Sequence, residues 1–166
     1  MTHDEELALL AKQEDALQFD SFTARTAWQI GHILVELLEA RGKKAAISIG
    51  LTGQQLFYYA MPGTTPDNGE WARRKRNVVE RFHRSSFSFK LNMEKNKYEL
   101  TLRYGLSPLD YALSPGGFPI RLRDTGIIGS IGVSGLPPRD DHGIIIEALA
   151  KHLGLGIEGL SLPDVG

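Results

Sequence analysis

The sequence predicts an α+β domain, and three stretches carry that prediction. Residues 22–41 place Phe22, Ala27, Ile30, Leu34, Leu37 and Leu38 at helical spacing ahead of Gly42, the pattern of an amphipathic helix with a glycine stop. Residues 45–51 and 54–60 are strand-like runs separated by Thr52-Gly53, which makes a hairpin the economical reading. Residues 115–151 read as a Gly-Gly turn, a strand, a glycine-punctuated apolar strand, a Pro-Pro corner and a closing helix. Along residues 126–134 apolar residues alternate with glycine or serine. One pleated face can therefore pack tightly while the other admits another backbone or a ligand.

Taken in order, the chain opens with Thr2 and Glu5 spaced as a capping box, so a first helix runs to about Asp15 and docks on the domain. Asp20 or Ser21 is expected to cap the second helix. In the hairpin, Ile47 and Ile49 should face the core. Residues 61–69, with two prolines and Asn68-Gly69, read as a loop able to cover a site. Residues 70–83 are helical by periodicity, with Trp71, Val78 and Phe82 as the expected buried side. Helix is also favoured over residues 87–93, and a turn at Lys95 to Lys97. Ser107-Pro108 suggests a short helix to Leu113. Phe118 to Leu122 and 127–133 are expected strands joined by a turn, and Asp140 or Asp141 should cap a helix over 143–153 ended by Gly154. Residues 1–154 thus form one expected domain, and 155–166 an apolar tail with no evident place in the core, expected to be poorly ordered unless a neighbouring subunit holds it.

Composition narrows the function. Nineteen basic and twenty acidic residues give a net charge of -1, so no global field favours nucleic acid or an anionic membrane. Recognition must be local. The absence of cysteine excludes disulfides, thiolate chemistry and Cys-ligated metal centres, and it accords with a cytoplasmic location. The N-terminal stretch is acidic and lacks the pattern of a signal peptide, and no apolar run is long enough to span a bilayer.

Three motifs, WARRKRNVVERFHRSS at 71–86, YGLSPLDYALSPGGFPIRL at 104–122 and IIGSIGVSGLPPRDDH at 127–142, resemble the GlcG/HbpS-like (haem-degrading domain) superfamily. Within it they resemble the group of uncharacterised proteins numbered 0303. The resemblance runs from about Phe22 to Leu153. It implies a profilin-like fold, a five-stranded antiparallel sheet with helices packed on it and an extra N-terminal helix, with residues 98–104 supplying the fifth strand. It also implies homo-oligomers and, for some members, binding or slow breakdown of haem.

Candidate chemistry centres on the basic helix. Between Glu70 and Arg84 six Arg or Lys face Glu70 and Glu80, a local charge of +4. Its guanidinium groups can pair with carboxylates or phosphates; a solvated or subunit-facing surface is the competing reading. The expected ligand site gathers Arg73, Asn77 and Arg81 with Gly116, Gly117 and Phe118, where exposed backbone donors could meet an anion. His142, after Asp140 and Asp141, is the candidate base or ligand, although helix capping accounts for the aspartates. A haem ligand would be His32, His83, His142, His152 or a tyrosine, and haem would be noncovalent because no Cys-x-x-Cys-His occurs. Metal-binding spacings such as His-Glu-x-x-His are missing. Ser134 lacks the nucleophile-elbow pattern, and Gly126, Gly129, Gly132 and Gly135 do not form a phosphate loop. The leading expectation is a cytoplasmic, oligomeric small-ligand-binding protein that takes haem or another anion. An enzyme of unassigned reaction with an inter-subunit pocket, and a multimeric adaptor, are the alternatives.

Overall fold

The computed structural model describes residues 1–164. Its elements are α1 (His3–Ala16), α2 (Ala24–Ala40), β1 (Ala46–Leu51), β2 (Gln54–Ala60), α3 (Pro66–Phe82), α4 (Ser86–Asn96), α5 (Leu100–Tyr104), β3 (Gly117–Leu122), β4 (Gly126–Ser134) and α6 (Pro138–Leu153). The sheet has four antiparallel strands in the order β2-β1-β4-β3, not five. The segment expected as a fifth strand is α5. Leu100 and Tyr104, four residues apart, turn together toward Val78, Phe82 and Phe89, while Leu102 between them is exposed, which is a helical period. The outer edge of β3 is instead met by one residue, Phe19, whose N–H donates to Arg121 O and whose carbonyl accepts from Arg123 N.

The two faces of the sheet differ as the β4 alternation predicts. Ile47, Ile49, Phe118, Ile120, Ile131 and Val133 all turn to one face and form the main core with Ile30, Leu34 and Leu38 of α2 and Ile145 and Leu149 of α6. Ser48, Gly50, Gly117, Ser130 and Gly132 turn to the other, where α3 lies almost on the strands. A Cβ at Gly132 would sit 2.7 Å from Ala72 O and 2.8 Å from Arg76 Cγ, and one at Gly117 would sit 2.8 Å from Lys75 O. Only glycine lets the helix backbone come this close.

That close approach corrects the expected buried side of α3. Ala72, Lys75, Val78 and Val79 are buried, whereas Trp71 is partly exposed with the Arg74 guanidinium stacked 4.1 Å over it. The Lys75 ammonium sits in the space beside Gly116 and donates to Val133 O and Asp141 Oδ2, both at 2.9 Å. The pair is almost fully buried. Burial pushes Lys75 down and Asp141 up, and each partner opposes the other's shift.

Other boundaries moved for local reasons. Helix α3 begins at Pro66, its first residue, so Pro66 to Gly69 is helix rather than loop. Thr23, not Asp20 or Ser21, caps α2 through a reciprocal pair with Thr26. Pro108 to Asp110 is a single turn, not a helix, and its strand of chain is tied across α3 by Arg73, Arg74 and Asn77. Helix α6 starts at Pro138. Asp141 lies inside it and reaches back to accept from Leu136 N at 2.9 Å, which supplies the cap's work from one turn later. After α6 the chain folds back on itself: Leu160 is buried, and its carbonyl accepts from Gln13 Nε2 at 2.5 Å. Val165 lies outside the described residues.

Candidate functional site

A cleft of about 550 Å³ opens between α3 and the β1–β2 hairpin. One wall is α3, which contributes Glu70, Arg73, Arg76, Asn77 and Glu80; the other is Ser48, Gln54, Gln55 and Tyr58. The hairpin register explains the second wall. Ser48 pairs with Tyr58 across the strands, so both side chains point to the α3 face, while Ile49 and Phe57 turn to the core.

The floor of the cleft is one hydrogen-bonded unit. Arg76 Nε donates to Ser130 Oγ at 2.9 Å, Nη1 to Ser48 Oγ at 2.9 Å and Nη2 to Glu80 Oε1 at 3.2 Å. Ser130 Oγ donates onward to Glu80 Oε1 at 2.8 Å, and Ser48 Oγ to Gln55 Oε1 at 2.9 Å. Arg76 and Glu80 are both mostly buried, at 12% and 17% side-chain exposure. Burial pushes the Arg76 pKa down, and Glu80 opposes part of that shift. Nearer the mouth, Arg73 forks onto Glu70 and also bonds Asp110 Oδ1 at 3.1 Å, which raises its pKa.

Of the residues singled out from sequence, Arg73 and Asn77 line this cleft. Arg81 is exposed and outside it. Gly116, Gly117 and Phe118 are buried behind α3, and the Gly117 N–H is already donated to Ser86 Oγ at 2.9 Å. Their backbone donors do not face the cleft. His142 is fully buried against Phe87 and Phe118, with Nε2 2.7 Å from Gln13 Oε1 and Nδ1 without a partner among the described residues. Burial holds its pKa at about 3, so the ring is neutral, and it donates Nε2–H to Gln13. Ser48, Gln55, Ser130 and Glu80 were not singled out. Their signal was present: Arg76 and Glu80 are four apart on one helix, and the strand serines stand two residues from glycines that bring the helix close.

A second cavity of about 1060 Å³ lies where α6 begins, walled by Phe87, Leu91, Leu136, Ile146 and Leu162 and rimmed by Arg41, Lys43, Lys90 and Arg139. Acidic residues also line it. Arg41 bonds both oxygens of Glu147, and Arg139 pairs with Glu6. Among the described residues no group of His, Asp or Glu is placed to hold a metal ion, and no helix is long and apolar enough to cross a membrane.

The family model for haem degrading protein HbpS-like matches residues 22–150. The chain belongs to the HbpS-like family. Its relatives include a UPF0303 protein of Serratia proteamaculans, 47% identical over 157 residues, spanning 95% of this chain and 98% of the relative. A UPF0303 protein of Rhizobium etli is 47% identical over 162 residues, spanning 98% of each. Among solved structures, the Ybr137w protein superposes with a TM-score of 0.80 at 25% identity, covering 89% of this chain and 87% of that one. A PduOC:haem complex superposes with a TM-score of 0.68 at 20% identity, covering 82% and 97%, and shares the HbpS-like fold.

Neither cavity supplies both an apolar slot and an iron ligand for haem. The residues that ligate haem iron are His, Met, Cys and Tyr. The cleft beside α3 offers Tyr58 but has a polar floor, and the second cavity has apolar walls but none of those four residue types on its lining. His142 reaches neither.

Proposed function

We propose that this chain is a cytoplasmic small-molecule-binding protein whose site is the cleft between α3 and the β1–β2 hairpin. The observation that carries the reading is the Arg76–Glu80–Ser48–Ser130 unit on its floor. A buried ion pair is weak support for stability, since an apolar pair of the same volume serves a core as well. Here the pair faces an open cleft, and glycines at 50 and 132 make room for it. Such placement supports a binding site. The ligand is small and polar: the cleft arginines Arg73 and Arg76 each lie against a carboxylate, so the basic helix is not a bare anion site. Self-association belongs to the same reading, supported by exposed Leu102 and Leu109 and by the free edge of uncharged β2.

The test is a thermal-shift screen of polar metabolites against the protein and its Arg76→Met variant. Ligands that raise the melting temperature of the parent should lose that effect in the variant. Stabilisation that survives the substitution would move the site elsewhere.

Noncovalent haem is the second reading, favoured by the family's description and by the apolar walls and cationic rim of the second cavity. Under it, haemin titration gives a saturable Soret shift that Arg76→Met leaves unchanged and Leu91→Glu abolishes. A linear, unsaturated titration would remove it.

A further inference from the structure

We propose that the cleft takes a zwitterionic, amino-acid-like molecule, an inference that rests on the cleft being the binding site. Glu70, Arg73, Arg76 and Glu80 are spaced three, three and four residues apart, so they form one stripe along the helix wall. The stripe reads acid, base, base, acid. The facing wall of Ser48, Gln54, Gln55 and Tyr58 carries no charge.

A simple anion entering this cleft would meet Arg73 and Arg76 only in company with carboxylates 2.9 Å and 3.2 Å from them. A simple cation would meet the same difficulty in reverse. A molecule with a carboxylate and an ammonium a few bonds apart answers both signs at once, the carboxylate toward the paired arginines and the ammonium toward Glu80. Unused hydrogen-bonding capacity lies in the same place. A guanidinium has five N–H groups, and Arg76 uses one from each of its three nitrogens. Glu80 accepts both of its bonds at Oε1, so among the described residues Oε2 has none. Gln55 accepts from Ser48 through its oxygen, which leaves its amide N–H groups for a ligand, and the Tyr58 hydroxyl lies beside Gly69 at the rim. A space of about 550 Å³ accommodates an amino acid with its side chain and ordered water.

Saturation-transfer NMR on the full chain tests the class. The probes are L-glutamate, L-leucine, L-phenylalanine, L-arginine and L-serine, each with its deaminated acid and its decarboxylated amine. At least one amino acid should bind, with its matched acid and amine about tenfold weaker or more, as loss of a charge-assisted bond requires. Glu80→Gln should bring the acid level with the amino acid, and Arg76→Met should do the same for the amine. A merely structural role for either residue would not exchange the preferences in this way. If either substitution unfolds the chain, Gln55→Ala and Tyr58→Ala on the exposed wall should weaken the amino acid alone. Acids or amines that bind as tightly as the amino acids, or no binding by any probe, overturn the zwitterion. If they still respond to Arg76→Met, the site stands. Binding indifferent to all four substitutions overturns the site itself.

Discussion

Acidification should destabilise this protein through His142, and the size of the effect follows from where the ring sits. It is fully buried between Phe87 and Phe118, and among the described residues its ring's only hydrogen bond is to Gln13. Burial lowers its pKa from 6.5 to about 3. A histidine with a depressed folded pKa stays neutral in the native state while the unfolded chain takes up a proton below pH 6.5. Stability therefore falls as pH drops through the window between the two values and is level above it. With those two pKa values, the loss between pH 7 and pH 4 is about 3 kcal/mol from this residue alone. His142→Gln keeps a donor for Gln13 and cannot titrate. Urea denaturation of both proteins across that range isolates the term, because other groups contribute equally to each. The parent should lose about 3 kcal/mol more than the variant. Parallel pH profiles would show that the ring is reached by water or protonated in the native state, and would refute the burial argument.

Two further outcomes follow from the packing. Lys75→Met strands the Asp141 carboxylate in a site with 3% exposure, so it should cost about 3 to 5 kcal/mol in urea denaturation, and adding Asp141→Leu should recover much of that loss. A double variant no more stable than the single would mean the pair is not the cause. Multi-angle light scattering at micromolar protein should give a mass above one chain, and Leu102→Glu with Leu109→Glu should reduce it; a monomeric parent would remove the self-association reading.

What could be read in the sequence was the part governed by local pattern. The hairpin, the core-facing Ile47 and Ile49, the helix over 87–93 and the capping box of α1 follow from spacing within a few residues. The glycine and serine alternation in β4 announced a close approach of another backbone, and α3 is that backbone. What remained hidden depends on partners distant in the chain. Lys75 appears on an ordinary basic helix until Gly116 and Asp141 surround it. Trp71 has the spacing of a core residue but meets Arg74 at the surface. The strand expected at residues 98–104 came from the family resemblance, and the helix found there is matched to contacts with Phe82 and Phe89, which are distant in the chain. In the proposed cleft, Arg73 and Asn77 are the two residues that the reading of the basic helix also singles out. The role of Glu80 was not legible, because nothing local says that Ser130, fifty residues later, donates to it.

The central claim is that the α3–hairpin cleft is where this protein binds its ligand. The most direct measurement is amide and side-chain chemical-shift mapping on the labelled chain, titrated with whichever amino acid gives the strongest saturation transfer. The account predicts saturable shifts concentrated at Ser48, Gln55, Tyr58, Arg76, Asn77 and Glu80. Shifts gathered instead around Phe87, Leu136 and Leu162, at the second cavity, would contradict it.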